Sequence, residues 1–354
     1  MNDVRTFDAA KPSRRQFLKA GLGAAAGVAA LETTWGRAAP RPEKSITFQG
    51  SIPTRRFGKT GHLLPVFGHG GSAMVSPFIE DKGAPLLPRE ERVRMVRRGY
   101  DGGIRYFDTA RAYGESEGIM GEALEDVREN VYLATKIGVP REVTPEAVRR
   151  SLETSLGELR TDYVDAIQIH NPSDYDRAMA TREALEKLRQ EGMVRFIGVT
   201  THQFFPTIHR LLSTGAFDQT LLAFGYFRKG REHLLSNATL EWRDLCLAKA
   251  AELGIGVVAM KVLGAKVYGH NARNLVPDYD EAARRRLPGA AIRWALRDER
   301  VHVLNIGISI PSDIEENLPV FAGDLTYTNE DARLLADFSG RAYESAWAQG
   351  LAVV

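Results

Sequence analysis

Three apolar runs in the first half of the chain end on side chains that handle protons or charge. Ile104-Arg105-Tyr106-Phe107 is followed by Asp108, with Tyr113 in the same loop; 131–135 is followed by Lys136; 164–169 is followed by His170. Taken singly, each has an ordinary explanation: an Asp after a strand caps a helix, a loop Tyr packs, a strand-end His makes a loop hydrogen bond. At equivalent places on successive runs, an acid, a phenol, an amine and an imidazole are hard to gather by chance, and their types fit carbonyl reduction. That reaction needs a hydride and a proton for the developing alkoxide. Tyr113 can give the proton, although a free phenol has a pKa near 10. An ammonium beside it favours the phenolate and lowers that value. Lys136 is placed to do this, Asp108 to pair with Lys136, and His170 to donate a hydrogen bond to the carbonyl oxygen. The hydride must come from a cofactor.

The positioning elements are strand-like runs alternating with amphipathic helical patterns. Eight runs are legible, at 63–67, 104–107, 131–134, 164–169, 194–199, 220–224, 255–260 and 301–306. Most are continuous Val/Ile/Leu stretches, as strands buried on both faces should be. Helical patterns fill 89–100, 116–127, 144–159, 181–190, 203–213, 239–253, 281–297 and 312–319, and a further helix is expected over 329–348. In the third of these, Val148, Leu152, Leu156 and Leu159 share a face behind the Thr144-Pro145 start. Eight strand–helix units without a linker predict a (β/α)₈ barrel, an α/β fold of ~250 residues plus insertions. A hairpin from 46–48 and 54–57 is expected to plug its bottom. The rival doubly wound fold is disfavoured, because Gly68-His69-Gly70-Gly71 lacks the dinucleotide fingerprint spacing and leads into no clear helix.

Charge and composition exclude other classes. The 354 residues carry 47 Lys+Arg against 45 Asp+Glu, a net charge of +2, so no basic surface implies nucleic acid. The single cysteine, Cys246, rules out an internal disulfide, provides no metal motif, and sits in an apolar helical pattern that reads as core. No metal site is expected. The long loops 72–87 and 267–280 carry no motif; Phe78, Tyr226, Phe227 and Tyr268 are candidates for lining an apolar pocket.

Residues 1–38 differ from the rest. Ser13-Arg14-Arg15-Gln16-Phe17-Leu18-Lys19 precedes an Ala/Gly-rich stretch, 20–30. This resembles a twin-arginine export signal. Its apolar stretch is shorter than the about 20 residues a membrane span needs. Small residues at Gly36 and Ala38 predict cleavage near Ala38, leaving 39–354 as the mature barrel, with no stable membrane span, in the periplasm after passage through the twin-arginine machinery. That machinery exports folded proteins, so a cofactor can load before export.

The run Phe107-Asp108-Thr109-Ala110-Arg111-Ala112-Tyr113-Gly114-Glu115-Ser116-Glu117, with Gly121 and Ala123-Leu124 beyond it, resembles the first signature of the aldo-keto reductase family. Thr135-Lys136 and Gln168-Ile169-His170 match its other catalytic positions, and Arg55-Arg56-Phe57-Gly58-Lys59-Thr60-Gly61 is similar to its N-terminal hairpin. The resemblance runs from about Ser51 to Val320. It implies the barrel, NAD(P)H as cofactor, a small-molecule carbonyl or alcohol as substrate, and Asp108, Tyr113, Lys136 and His170 as catalytic tetrad. It also implies cofactor contacts. Gly70 and Gly71 stand where the family backbone approaches the nicotinamide. Thr200-Thr201 replaces the usual Ser-Asn, Ala223 replaces the usual Gln ahead of a ring-stacking Tyr226, and Lys261-Val262-Leu263-Gly264 replaces Ser-Pro-Leu-Gly, offering Lys261 to the pyrophosphate. Ser309, Asp313, Glu316 and Asn317 mark the adenine end. Gly307 and Asp313 stand where many NADPH-specific members carry basic residues, and an acid there would repel a phosphate and could accept from a ribose hydroxyl instead. The family leans to NADPH and this departure to NADH.

Two other readings remain open at this stage. The altered contacts suit a nicotinamide-binding regulatory or ligand-sensing module on the same fold. Asp108 with Glu115 or Glu117 suits a barrel hydrolase, although glutamates at a helix start also simply favour its dipole.

Overall fold

A computed structural model describes residues 50–75, 85–227, 237–264, 267–269 and 271–345. The export signal, its cleavage site, Phe78 and the expected strand at 46–48 lie outside these residues.

Eight parallel strands close into a barrel in the order β10-β3-β4-β5-β6-β7-β8-β9. They are β3 (Phe67–Gly70), β4 (Tyr106–Asp108), β5 (Tyr132–Ile137), β6 (Val164–His170), β7 (Val194–Thr201), β8 (Gln219–Ala223), β9 (Gly256–Met260) and β10 (Val303–Gly307). The surrounding helices are α1 (Arg89–Asp101), α2 (Ser116–Leu124), α3 (Pro145–Glu158), α4 (Tyr175–Gln190), α5 (Phe205–Leu212), α6 (Asn237–Glu252), the short α7 (Ala272–Leu275), α8 (Glu281–Leu296), α9 (Pro311–Ala322) and the C-terminal α10 (Asn329–Glu344). Their starts follow local chemistry. Thr144 accepts from the Ala147 N–H at 3.1 Å ahead of Pro145, and Asp280 from that of Ala283 at 2.8 Å. Asp174 caps α4 in the same way through Arg177, so that helix begins at Tyr175, ahead of the expected 181.

The first barrel strand departs from expectation. The hairpin is formed by β1 (Thr54–Arg56) and β2 (Leu63–Pro65), paired antiparallel, so the apolar run at 63–67 is mostly hairpin and β3 begins at Phe67. Gly61, at φ 80°, turns the chain between the two strands. β3 reads Phe-Gly-His-Gly, and its two glycines hide it from a search for continuous apolar runs. Space explains one of them: a Cβ on Gly68 would lie 2.9 Å from the Tyr106 ring.

The hairpin closes the bottom of the barrel. Phe57 is fully buried and meets Tyr106 and Tyr132 edge-on, with ring centroids 6.0 and 5.5 Å apart. Arg55 ties the hairpin to the loop before β10, donating to the carbonyls of Leu296 (2.7 Å), Asp298 (3.2 Å) and Val301. Above this floor the lumen is partly polar: Tyr132 Oη donates to Gln219 Oε1 at 2.7 Å, and a Cβ on Gly198 would meet the Gln219 and Gln168 side chains at 2.7 and 3.1 Å. Cys246 is buried, donates to the Phe205 carbonyl at 3.3 Å, and has its thiol pushed up to about 12 by burial, as fits a core residue. Phe227 and Tyr268 are also core. Phe227 stacks on Tyr343, and Tyr268 packs on Phe338 and bonds Ser339 at 2.8 Å, so neither lines a pocket.

Replacing Arg55 with Met keeps the stem and strands three carbonyls. The expected cost is about 1–3 kcal/mol of stability, read as a lower denaturant midpoint with unchanged turnover.

Candidate active site

Barrel register sets the order of the tetrad. Asp108 faces Ala134 across β4–β5, and Lys136 lies two residues farther along β5. Lys136 in turn faces Gln168 across β5–β6, and His170 lies two residues farther along β6. Residues two apart share a face, so the three side chains rise toward the carboxyl ends of the strands like steps. Burial follows the climb: Asp108 and Lys136 are 2% and 1% exposed, and His170 is half-buried.

Lys136 Nζ pairs with Asp108 Oδ1 and donates to the Thr109 carbonyl at 2.8 Å. Asp108 accepts further from Gln168 Nε2 (2.8 Å, on Oδ2) and Asn305 Nδ2 (3.1 Å, on Oδ1). The Tyr113 ring centroid lies 5.0 Å from the Lys136 ammonium and 5.6 Å from the His170 ring, which meets it edge-on at 84°. The loop carrying Tyr113 is fastened at both ends. Thr109 Oγ1 donates to Ser116 Oγ at 2.8 Å, and Ser116 Oγ to the Gly71 carbonyl at 3.2 Å. Glu117 is fully buried, accepting from Thr135 Oγ1 at 2.6 Å and from Arg111 at 3.1 Å. Glu115 pairs with Arg92 at 2.6 Å. Both glutamates are therefore held by partners of their own, which removes the basis for pairing either with Asp108 in hydrolysis.

The electrostatics correct one expectation. Burial raises the Tyr113 pKa, Lys136 opposes that rise, and the net direction is upward, so Tyr113 stays a protonated acid. Lys136 is also displaced upward: burial alone would lower it, but Asp108 and Tyr113 outweigh burial. Burial pushes the Asp108 carboxyl up against Lys136, Gln168 and Asn305. Since all three direct donors at it, the pair is read as carboxylate and ammonium. His170 is lowered to about 3, by burial first and Lys136 second, and is a neutral imidazole.

The expected cofactor contacts are placed as follows. A Cβ on Gly71 would lie 2.5 Å from Ser116 Oγ, and one on Gly70 would lie 3.2 Å from Asn305 Oδ1, so both glycines make room for the protein's own site. Thr200 Oγ1 accepts from the Asn171 N–H at 3.1 Å. Thr201 Oγ1 donates to Asn171 Oδ1 at 3.1 Å and accepts from the N–H groups of Gln203 and Phe204, so it fixes the loop after β7. Tyr226 is half-buried with its ring edge-on to Trp294 at 5.6 Å. Lys261 holds φ 63°, and the Gly264 N–H bonds its carbonyl at 2.8 Å, making a turn that buries Leu263. Ser309, Asp313 and Asn317 cluster where β10 meets α9. Asp313 Oδ2 accepts from the N–H of Ser309 (2.6 Å) and of Ile310 (3.2 Å), and thus shapes the loop, which weakens the case for it as a ribose acceptor. Ser309 Oγ and Asn317 Oδ1 are buried with no hydrogen-bond partner among the described residues. Glu316 is exposed.

Sequence reasoning missed Gln168, Asn305 and His202. The first two are polar residues inside apolar strands, and Gln168 is two places from His170, a spacing that marks the inward face. The His202 imidazole is lowered to about 3 by burial and then by Lys261, His170 and Lys136, which puts it beside the mouth as a second neutral ring. A cavity of about 250 Å³ bounded by Gly58, Gly254, Glu299 and His302 lies at the opposite end, beneath the starts of β9 and β10, and contains none of these groups.

Comparison with known proteins identifies the family and the fold. Residues 11–31 match the model of the twin-arginine translocation pathway signal sequence. The chain is 28% identical over 288 residues to L-galactose dehydrogenase of Arabidopsis thaliana, covering 75% of this chain and 87% of that protein. It is 27% identical over 239 residues to probable aldo-keto reductase 1 of Glycine max, covering 62% of each. The fold matches an aldo/keto reductase from Klebsiella pneumoniae in complex with NADP and acetate, with TM-score 0.61 and 23% identity over 81% of this chain and 95% of that one. It also matches the holo form of an aldo-keto reductase from Bacillus halodurans, with TM-score 0.61 and 21% identity over 81% and 96%. Residues 81–338 match the model of the aldo/keto reductase family, and the chain belongs to that family.

Proposed function

We propose that this barrel interconverts aldehydes or ketones and alcohols, with Tyr113 as the acid–base group and NAD(P)H as the hydride source. The observation that carries the reading is the continuous link from Asp108 through Lys136 to Tyr113, with His170 set edge-on beside the phenol. A nicotinamide dinucleotide held here would supply the hydride. The residues fit such a group: Ser309 Oγ and Asn317 Oδ1 offer unsatisfied buried polar atoms, and α9 begins beside them, where a helix N-terminus favours phosphate. Lys261 adds a cation on the neighbouring strand end. The relatives crystallised with NADP support the phosphorylated cofactor. With Asp313 occupied by backbone amides, the argument for NADH from this position weakens.

The protein's own part is to orient the carbonyl and move one proton. His170, being neutral, donates a hydrogen bond to the carbonyl oxygen without competing for the proton. Tyr113 Oη gives its proton to the developing alkoxide, and the Lys136 ammonium stabilises the phenolate left behind. Asp108 fixes Lys136 and cancels much of its charge before reaction. The reverse path, alcohol oxidation, returns the proton to Tyr113.

The export signal supports a periplasmic place for the mature chain, with its cofactor loaded before translocation. Protein taken from that compartment is expected to keep a nicotinamide dinucleotide through dialysis, seen by mass spectrometry; apo-protein that neither NADH nor NADPH can charge would count against this.

Tyr113→Phe should lower turnover of a generic aldehyde by about 10²–10⁴-fold while dinucleotide binding, read by fluorescence titration, is kept. Unchanged function of the whole protein in that variant would favour a ligand-sensing module. The pH profile of reduction should show no limb from His170 between pH 5 and 8, because its depressed pKa of about 3 leaves it neutral throughout. A His170 titration near 6.5 by NMR would contradict the assigned burial. In the reduction direction activity should fall at alkaline pH, as Tyr113 loses its proton.

A further inference from the structure

Asp108 is held by more than Lys136. Gln168 and Asn305 reach it from β6 and β10, on opposite sides of the barrel mouth, one to each carboxylate oxygen. Both are buried, Gln168 fully and Asn305 to 8% exposure. Each spends its NH₂ on Asp108 and leaves its own carbonyl oxygen, Gln168 Oε1 or Asn305 Oδ1, without a hydrogen-bond partner among the described residues. A buried unsatisfied carbonyl is costly, whereas a bond to a charged acceptor is stronger than one between neutral groups. Both amide N–H bonds are strongest when Asp108 carries its charge.

We propose that Asn305 and Gln168 are positioning residues that hold the ionised Asp108 against Lys136 and offset part of its negative charge, and so keep Tyr113 acidic enough to give up its proton in carbonyl reduction. The proposal rests on the reaction assigned above and adds two residues to it. The ionisable groups near Asp108 are Lys136 from β5, Tyr113 from the loop after β4, and Tyr106 from β4 itself. His170 and His202 lie beyond Lys136 and are neutral. With the pair ionised, the two amides each point the positive end of a dipole at the carboxylate. Removing one leaves more of the negative charge uncancelled. A stronger negative field raises the Tyr113 pKa further, because Asp108 already acts on Tyr113 in that direction. A weaker acid transfers its proton more slowly, yet it keeps that proton to higher pH.

The test is the pH profile of aldehyde reduction by Asn305→Leu and Gln168→Leu in the full mature chain. Expected are a fall in kcat of about ten-fold, a KM for the dinucleotide that stays within about two-fold, and an alkaline limb moved up by about half a unit or more. Gln168→Leu acts on the other carboxylate oxygen and supplies the measurement if Asn305→Leu does not fold. A limb that stays in place or moves down in the folded variants overturns the proposal, since a purely structural role lowers the amount of active enzyme without moving it. The parent reading fails separately: a wild-type chain indifferent to Tyr113→Phe overturns the reaction itself and this inference with it. Sensitivity to Tyr113→Phe with an unmoved limb overturns this inference alone.

Discussion

The site depends on one buried ion pair, Asp108 with Lys136. Taking two charges out of water costs several kcal/mol each, and mutual attraction offsets this only when the remaining donors and acceptors are also satisfied. Here they are: Lys136 has the Thr109 carbonyl as well as Asp108, and Asp108 has Gln168 and Asn305 as well as Lys136. Breaking such a pair by removing one partner would leave a stranded charge, a loss of about 3–5 kcal/mol. The pair is thus a constraint on what surrounds it. It explains why a barrel lumen usually filled by branched apolar side chains here carries amides, phenols and glycines.

Glycine is the spatial counterpart of that polarity. Gly70 and Gly71 leave room for Asn305 and Ser116, and Gly198 leaves room for Gln168 and Gln219. The outward faces of the same strands are used as well. Thr109 and Thr135, one residue from Asp108 and Lys136, bond Ser116 and Glu117 at the start of α2. Alternation along β4 and β5 therefore puts the ion pair inside the barrel and the fastening of the Tyr113 loop outside it. The two tasks are performed by adjacent residues because a strand points successive side chains to opposite faces.

Much of this was legible in the chain. A strand that ends on a lone polar residue is conspicuous, so Asp108, Lys136 and His170 stand out, and a shared topological place makes them a set. The barrel itself follows from the alternation of strands and helices. What stayed hidden has physical reasons. β3 was misplaced because two of its four residues are glycines chosen for space, which erases the apolar signal. Gln168 and Asn305 sit within apolar strands, where their role appears only when register brings β6 and β10 around Asp108. Thr201 and Asp313 are expected cofactor contacts, but Thr201 Oγ1 and Asp313 Oδ2 are taken by nearby backbone or side-chain groups, a competition no spacing reveals. The sign of the Tyr113 displacement was also unreadable. A neighbouring ammonium argues for a lower pKa, and only the depth of burial decides against it.

That sign bears on how the site works. An ammonium free to act on Tyr113 would favour the phenolate at rest, a state suited to removing a proton from an alcohol. With Asp108 cancelling its charge, Lys136 exerts less pull on the resting phenol and keeps its ability to stabilise the phenolate that forms during proton transfer. The environment then favours charge where it develops rather than in the ground state, which is the condition for catalysis by electrostatic preorganisation. His170 follows the same logic. Being neutral, it would polarise a carbonyl in the proposed reaction without adding a second positive charge that would again favour the resting phenolate. Burial, with Asp108 working against the pull of Lys136, holds Tyr113 protonated, and in the proposed reaction it stays so until a carbonyl oxygen is there to take the proton.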